Sequence, residues 1–470
     1  MHRHRMGTPG FGRVERIRRV LSVRLARNSA SIGAMDADPQ TSRAHCLAIV
    51  THTIPGECSG QAVALERLAS AAARGDRHPA IFFIDTLRDF RADGRARADA
   101  AGTTDIESVG TWWLAHKACR LRALHGPLFR LLVRQRAAAI AAIVNRRRPA
   151  AIIACTGGDL VDLPAAIEAG RRTATPVWLH YFDDYRMQTI AVSRRWSARV
   201  TAWLRDEVEP ALLRAATGII APNETLADIV RARTDTPVVI VRNPVDTTLY
   251  PALRGREADA VTGATGLLRI IYTGTVYMAQ VDAIRRCAEA VAVLADRGIT
   301  AELHIHGPRP DSTTYTILAG QNIRWHDAVP PARAAALQAG ADLLFLPLSF
   351  DTPYPELIRT SAPGKFGEYL AAATPMVIHA PAGSFPVDFA RHHGCAAICT
   401  EPNAGALADT IAALAADPQR AGQIRTAARA AAADFAEDIN LRRLLRCTLS
   451  AATHHDPARA AGAGSSSSAR

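Results

Sequence analysis

Lysine is nearly absent from this chain. Against 54 arginines, the 470 residues include two lysines, Lys117 and Lys365. The skew reads as a GC-rich coding bias in which exposed cationic positions have become arginine. A retained lysine is then either chance or chemistry, because a compact ammonium suits phosphate where a planar guanidinium fork does not. Cysteine is scattered: Cys46, Cys58, Cys119, Cys155, Cys287, Cys395, Cys399 and Cys447 form no CxxC pair. Cys395 and Cys399 lie closest, and with His392 and His393 they complete no zinc pattern, so reduced thiols and no metal site are expected. No uncharged apolar run of about 18 residues occurs, so no transmembrane helix is expected. The N-terminal arginines precede no apolar run, which excludes a secretory signal from the reading. A cytoplasmic location is expected. GxGxxG is missing as well, so a dinucleotide fingerprint is not supported.

Apolar residues make up 48% of the chain, the ordinary range for globular proteins, and the length suits two or three domains. Net charge is +12, yet residues 1–35 alone hold eight arginines against Glu15, a net +7. The cationic excess is therefore mostly a tail, and no nucleic-acid partner is expected. Within that tail Val14, Ile17, Val20, Leu21 and Leu25 recur near helical spacing among arginines. Two readings stand side by side: a basic helix lying peripherally on an anionic membrane surface, or translation that begins at Met35.

From His45 onward, strand-like apolar runs alternate with helical segments, the pattern of a parallel α/β sheet. Strands are predicted at Cys46–Val50, Ala80–Ile84, Ala151–Ala154, Val177–His180, Gly218–Ala221 and Val238–Val241. A second series follows at Arg269–Tyr272, Glu302–His306, Ile323–Trp325, Leu343–Leu346, Met376–His379 and Ala396–Ile398. The expected fold class is α/β with two tandem doubly wound, Rossmann-like domains. The expected organisation is a basic extension (1–44), a first domain (45–250), a Gly-rich linker (251–267), a second domain (268–435), a final helix (436–455) and a low-complexity tail (456–470). Ligands of such sheets bind outside the strand C-termini, so the cleft between the domains is the expected site.

Several loops there carry polar or glycine-rich signals. Pro55–Gln61 joins the first strand to the first helix, with Gly56, Gly60 and Gln61 as candidate contacts. Tyr272-Thr273-Gly274-Thr275 has the same place in the second domain, where Gly274 and Thr275 could offer backbone N–H groups to phosphate. Asn243-Pro244-Val245-Asp246 follows the last strand of the first domain. His180 and Asp183 follow another first-domain strand. Asp183 and Asp184 adjoin, but successive residues of an extended chain face opposite ways, so one shared metal ion is not expected. Pro363-Gly364-Lys365 opens a helix, and Glu368 lies about one turn further on.

Together these residues resemble a GT-B glycosyltransferase of the family-4 type (glycosyl transferases group 1), from about His45 to Leu449. The strongest match is Pro363-x-Lys365-x-x-Glu368-Tyr369-Leu370-Ala371 with Thr374-Pro375-Met376-Val377, similar to the family's "P-x-K-x-x-E-Y-x-A-x-G-x-P-V" segment. The resemblance implies a nucleotide-sugar donor with Glu368 on its ribose and Lys365 near its diphosphate. Gly274, Thr275 and Asn243 would join the donor site, and Gly56, Gly60 and Gln61 would lie on the acceptor side. It implies a retaining sugar transfer to a carbohydrate or lipid-linked hydroxyl in bacterial surface glycan synthesis, without a cofactor and without a required metal. His180, Asp183 and Lys365 are the candidate catalytic residues. The chain departs from the family at Thr360, where a second glutamate is common, and at Ala373, where glycine is usual. It also lacks a basic residue in the first donor-domain loop, so Lys365 would carry the phosphate charge alone, or with Arg285 or Arg359. A nucleotide-sugar epimerase and a non-catalytic nucleotide-sugar-binding subunit remain as alternatives.

Overall fold

The computed structural model describes residues 46–56, 59–75, 78–86, 105–109, 125–157, 160–187, 202–250, 266–319 and 321–454. The basic extension, Lys117, Glu57 and Cys58, nearly all of the expected linker, and the tail from 455 lie outside them.

The first sheet contains β1 (Cys46–Thr51), β2 (Ala80–Asp85), β3 (Ile106–Ser108), β4 (Ala151–Cys155), β5 (Val177–His180), β6 (Gly218–Ala221) and β7 (Val238–Ile240). All pairs are parallel, in the order β3-β2-β1-β4-β5-β6-β7. Around it lie α1 (Gly60–Ala73), α2 (His125–Arg147), α3 (Asp162–Thr173), α4 (Glu209–Ala215) and α5 (Glu224–Arg231). The central strands are uninterrupted Val/Ile/Leu/Ala runs because helices cover both faces. In β4, for example, every residue from Ala151 to Cys155 is buried. β3 was not predicted: three half-exposed residues on an edge give little signal.

The second sheet holds β8 (Leu268–Thr273), β9 (Ala301–His306), β10 (Ile323–His326), β11 (Leu343–Pro347), β12 (Met376–His379) and β13 (Ala397–Cys399). These strands are also parallel, in the order β10-β9-β8-β11-β12-β13. Its helices are α6 (Val281–Asp296), α7 (Ser312–Leu318), α8 (Pro331–Ala339), α9 (Pro355–Thr360), α10 (Gly364–Ala372), α11 (Phe385–His393), α12 (Ala404–Ala416) and α13 (Pro418–Ala432). Strand order reverses between β1 and β4 in one sheet and between β8 and β11 in the other. At such switch points neighbouring crossovers leave to opposite faces and open a crevice at the strand C-termini.

After α13 the chain returns to the first sheet through α14 (Glu437–His454). Leu441, Leu444 and Leu445 pack into the core beneath β1, β4 and α1. The return is clamped: Val245 N–H donates to the Phe435 carbonyl at 2.8 Å, and Glu437 N–H donates to that of Val245 at 3.1 Å. Arg242, 5% exposed, closes the clamp. Its guanidinium bonds Glu224 at 2.6 and 3.1 Å and pairs with Asp434. It also lies 5.1–5.6 Å from the ring centroids of Phe385, Phe389 and Phe435. Among the described residues no helix is long and apolar enough to cross a membrane.

Gly367 of α10 sits against this clamp, where a Cβ would fall 2.8 Å from both Phe435 and Val245. Alanine in a helix interior is ordinarily favoured over glycine by about 1 kcal/mol. Here overpacking reverses the sign: Gly367→Ala is expected to lower stability by about 1–3 kcal/mol. Urea unfolding of the two proteins checks this; a more stable variant would mean the clamp is looser than described.

Candidate functional site

On the second sheet the site begins where β8 ends. Gly274 has φ +117°, in the left-handed region. A Cβ on it would lie 2.1 Å from Lys365 Cε and 2.6 Å from Nζ. The lysine side chain therefore lies directly on Gly274, with Nζ 5.3 Å from the Tyr272 ring centroid. Lys365 makes no ion pair among the described residues. It stands in the first turn of α10, whose Pro363 cap supplies no side-chain hydrogen bond, so helix N–H groups and an ammonium share one place. Tyr369 of the same helix accepts from Thr273 N–H at 2.9 Å, holding α10 to the end of β8.

The expected use of the Gly274 N–H is corrected by its partner. It donates to the His306 carbonyl at 2.7 Å and is not offered to a ligand. Gly274 instead makes room for Lys365. Thr275 is exposed, and its N–H makes no hydrogen bond among the described residues.

Glu368 accepts from Arg67 at 2.7 Å on Oε1 and from Gln338 Nε2 at 3.1 Å on Oε2. Arg67 lies on α1 and also donates to the Pro244 carbonyl at 2.9 Å. Two asparagines of the first half hold the loop before α10. Asn223 Nδ2 donates to the Thr360 carbonyl at 2.9 Å, and Asn243 Nδ2 to that of Ala362 at 2.7 Å. Asn243 is thus a loop tie. Thr360 is buried and returns its hydroxyl to the Glu356 carbonyl at 2.9 Å. Arg285 and Arg359 pair with Glu289 and Glu356 on their own helices, which favours the alternative in which Lys365 stands without them. Arg67 went unread, because one arginine in an Ala- and Leu-rich helix of so arginine-rich a chain carries no local signal.

On the first sheet, Gly56 (φ +86°) gives its N–H to Glu66 Oε2 at 3.4 Å. Ser59 caps α1 through Ala62 N–H at 3.1 Å, and the space around Gly60 is open. Gln61 reaches the switch point: Nε2 donates to Thr51 Oγ1 at 3.3 Å, and Oε1 covers Gly157, where a Cβ would lie 2.3 Å away. Thr156 Oγ1 accepts from the N–H groups of Phe182 and Asp183 at 2.9 and 3.2 Å.

His180 is 3% exposed and stacks on Phe182 at 4.1 Å. Its Nε2 has no hydrogen-bond partner among the described residues, and burial pushes the imidazole down to about 3. It is therefore neutral near pH 7 and cannot act there as a charged acid. Asp183 is half-buried, and its carboxyl is raised by burial and then by Asp184. The neighbouring aspartates diverge. Asp184 pairs with Arg233 at 2.8 Å, whereas the Asp183 carboxylate makes no bond among the described residues.

Level with Thr273 on the next two strands stand His306 and His326. Their rings stack at 4.3 Å, and His326 Nε2 lies 3.0 Å from His304 Nδ1. Burial, then His326 and His304, push His306 down to about 4. These three also went unread, although the alternation in His304-Ile305-His306 placed two on one face. Among the described residues no three His, Cys, Asp or Glu side chains are grouped to hold a metal ion.

Residues 268–417 match the family "Glycosyl transferases group 1". No curated protein matches the chain in sequence. Among solved structures, a glycosyltransferase from Rickettsia africae superposes with a TM-score of 0.58 at 12% identity, over 87% of this chain and 98% of that one. HepE of Anabaena, solved with UDP and glucose, gives 0.56 at 14%, over 86% and 99%. A putative UDP-N-acetylglucosamine 2-epimerase from Listeria monocytogenes gives 0.51 at 12%, over 87% and 97%. The chain has the two-domain GT-B fold of these proteins, as expected.

Two expectations follow from the geometry. Gly274→Ala forces a side chain into a left-handed position and into Lys365. It should cost about 1–3 kcal/mol of stability and displace the ammonium. A melting curve together with pyrophosphate binding tests it, and unchanged binding would separate Lys365 from anion recognition. For pH, His180 (about 3) and fully buried His379 (about 4) lie below an unfolded imidazole of about 6.5. The unfolded chain then binds more protons, so stability is complete above about 6.5 and declines as pH falls toward 3. His180→Gln should flatten that decline in denaturant titrations between pH 7 and 4; an unchanged slope would mean the ring is not held neutral.

Proposed function

We propose that this protein transfers a sugar from a nucleoside-diphosphate donor to a hydroxyl acceptor. The observation that carries the reading is the ammonium of Lys365, which makes no ion pair among the described residues. It lies on Gly274 at a switch point, inside the segment that matches the glycosyltransferase family. Breaking a sugar–diphosphate bond leaves negative charge on the departing oxygen. Lys365, the Thr275 N–H and the first turn of α10 are fixed charges and dipoles placed to receive it. Glu368 would take the ribose hydroxyls. Asp183, with a raised and unpaired carboxyl, would accept a hydrogen bond from a hydroxyl of the acceptor or sugar, and neutral His180 would orient it. Gln61 and Gly60 would line the acceptor side. Uridine is the preferred base by analogy with HepE of Anabaena, whose structure holds UDP. Charge stabilisation by these groups needs no resident metal or cofactor. Transfer with retention, a bacterial surface glycan or lipid-linked acceptor, and peripheral contact with the inner membrane face complete the proposal.

An epimerase is the second reading, favoured by the fold shared with the Listeria protein. Incubating UDP-sugars with and without candidate acceptors separates the two. A transferase gives UDP and a new glycoside only with acceptor, whereas an epimerase converts the sugar nucleotide alone. Lys365→Ala should slow either reaction about 100-fold or more while the protein stays folded. A variant with full activity would exclude the diphosphate site described.

A further inference from the structure

We infer that Arg67 competes with the donor's vicinal hydroxyls for the carboxylate of Glu368, so that filling the site exchanges an interdomain ion pair for ligand contacts. This rests on the donor reading above. Both oxygens of Glu368 have protein partners, Arg67 on Oε1 and Gln338 on Oε2. The two charged side chains are 14% and 19% exposed, so water screens them little. A carboxylate that binds a vicinal diol does so through both oxygens, and Oε1 is the one held by a charged partner. Gln338 can stay, because it is oriented by Tyr250 Oη at 2.7 Å and by Thr273 Oγ1 at 2.9 Å. Arg67 has no such anchor on the second half. Its other nitrogen holds the Pro244 carbonyl at the hinge, so it can release Glu368 and keep a partner.

The exchange has a direction. Two neutral hydroxyls replace a charged partner, so the ion pair disfavours ligand, and removing Arg67 favours it. Arg67 belongs to α1 and Glu368 to α10, so occupancy of the site and contact between the halves are reciprocally linked. The ties from Asn223 to Thr360 and from Asn243 to Ala362 involve neither group and persist through the exchange.

The test is calorimetric titration of UDP into wild type, Arg67→Gln, Arg67→Lys, Glu368→Gln and the double variant Arg67→Gln/Glu368→Gln, each first shown to melt cooperatively. Arg67→Gln is expected to bind UDP about ten-fold more tightly, a coupling in the usual range. Arg67→Lys, which keeps charge but loses the fork, should fall between. In the Glu368→Gln background the Arg67 substitution should have no effect, which a merely structural role for Arg67 would not produce. Equal or weaker binding by Arg67→Gln, with UDP still bound by wild type, would overturn the competition and leave the donor site standing. Failure of every variant to bind UDP would overturn the uridine donor reading and the exchange with it.

Discussion

The cleft depends on one buried guanidinium. Arg242 ends the first half, and it is held by Glu224 from that half and Asp434 from the second. Taking a cation out of water costs several kcal/mol unless its hydrogen bonds are replaced. Here two carboxylates, one from each half, replace them, and three phenylalanine rings flank the guanidinium. The backbone exchange between Val245, Phe435 and Glu437 then fixes the hinge, and α10 packs on it through Gly367 with no room for a Cβ. The reach of Arg67 to Glu368 crosses the halves this clamp joins, whereas Lys365 over Gly274 is set within the second half by the Tyr369–Thr273 bond.

Two charges on one helix, three residues apart, are treated oppositely. Lys365 has an aromatic face and a glycine beneath it and no carboxylate partner among the described residues, so its charge is available. Glu368 is fully engaged by partners from both halves. An available cation at a helix N-terminus attracts anions at once, whereas an engaged carboxylate binds only by exchange. On the proposed reading, diphosphate capture would need no rearrangement, whereas hydroxyl recognition would. The first sheet repeats the contrast with carboxylates alone: Asp184 is locked to Arg233, and Asp183 is left open.

The sheets were legible because apolar β-rich runs at parallel-sheet spacing have few alternatives. The predicted strands Val177–His180, Gly218–Ala221 and Met376–His379 coincide with β5, β6 and β12. β3, α7 and α9 are too short to show a period. α11 carried a signal that was not used, a proline in its first turn, obscured by the polar His392-His393 end. Lys365 was legible through rarity. Gly274 was singled out for its N–H, but its importance is the missing Cβ, which only the lysine's position reveals. Arg67 was invisible, since its partner lies 301 residues away and arginine is everywhere in this chain. Extended geometry was expected to part Asp183 from Asp184, but they lie in the bend after β5, and their split depends on Arg233, a tertiary fact.

The most direct test is a crystal structure of the protein with UDP. The account places the diphosphate within hydrogen-bonding reach of Lys365 Nζ and the first turn of α10, with the ribose turned toward Glu368. A diphosphate seated instead on the Gly56–Gly60 loop of the first sheet, with Lys365 unoccupied, would contradict it.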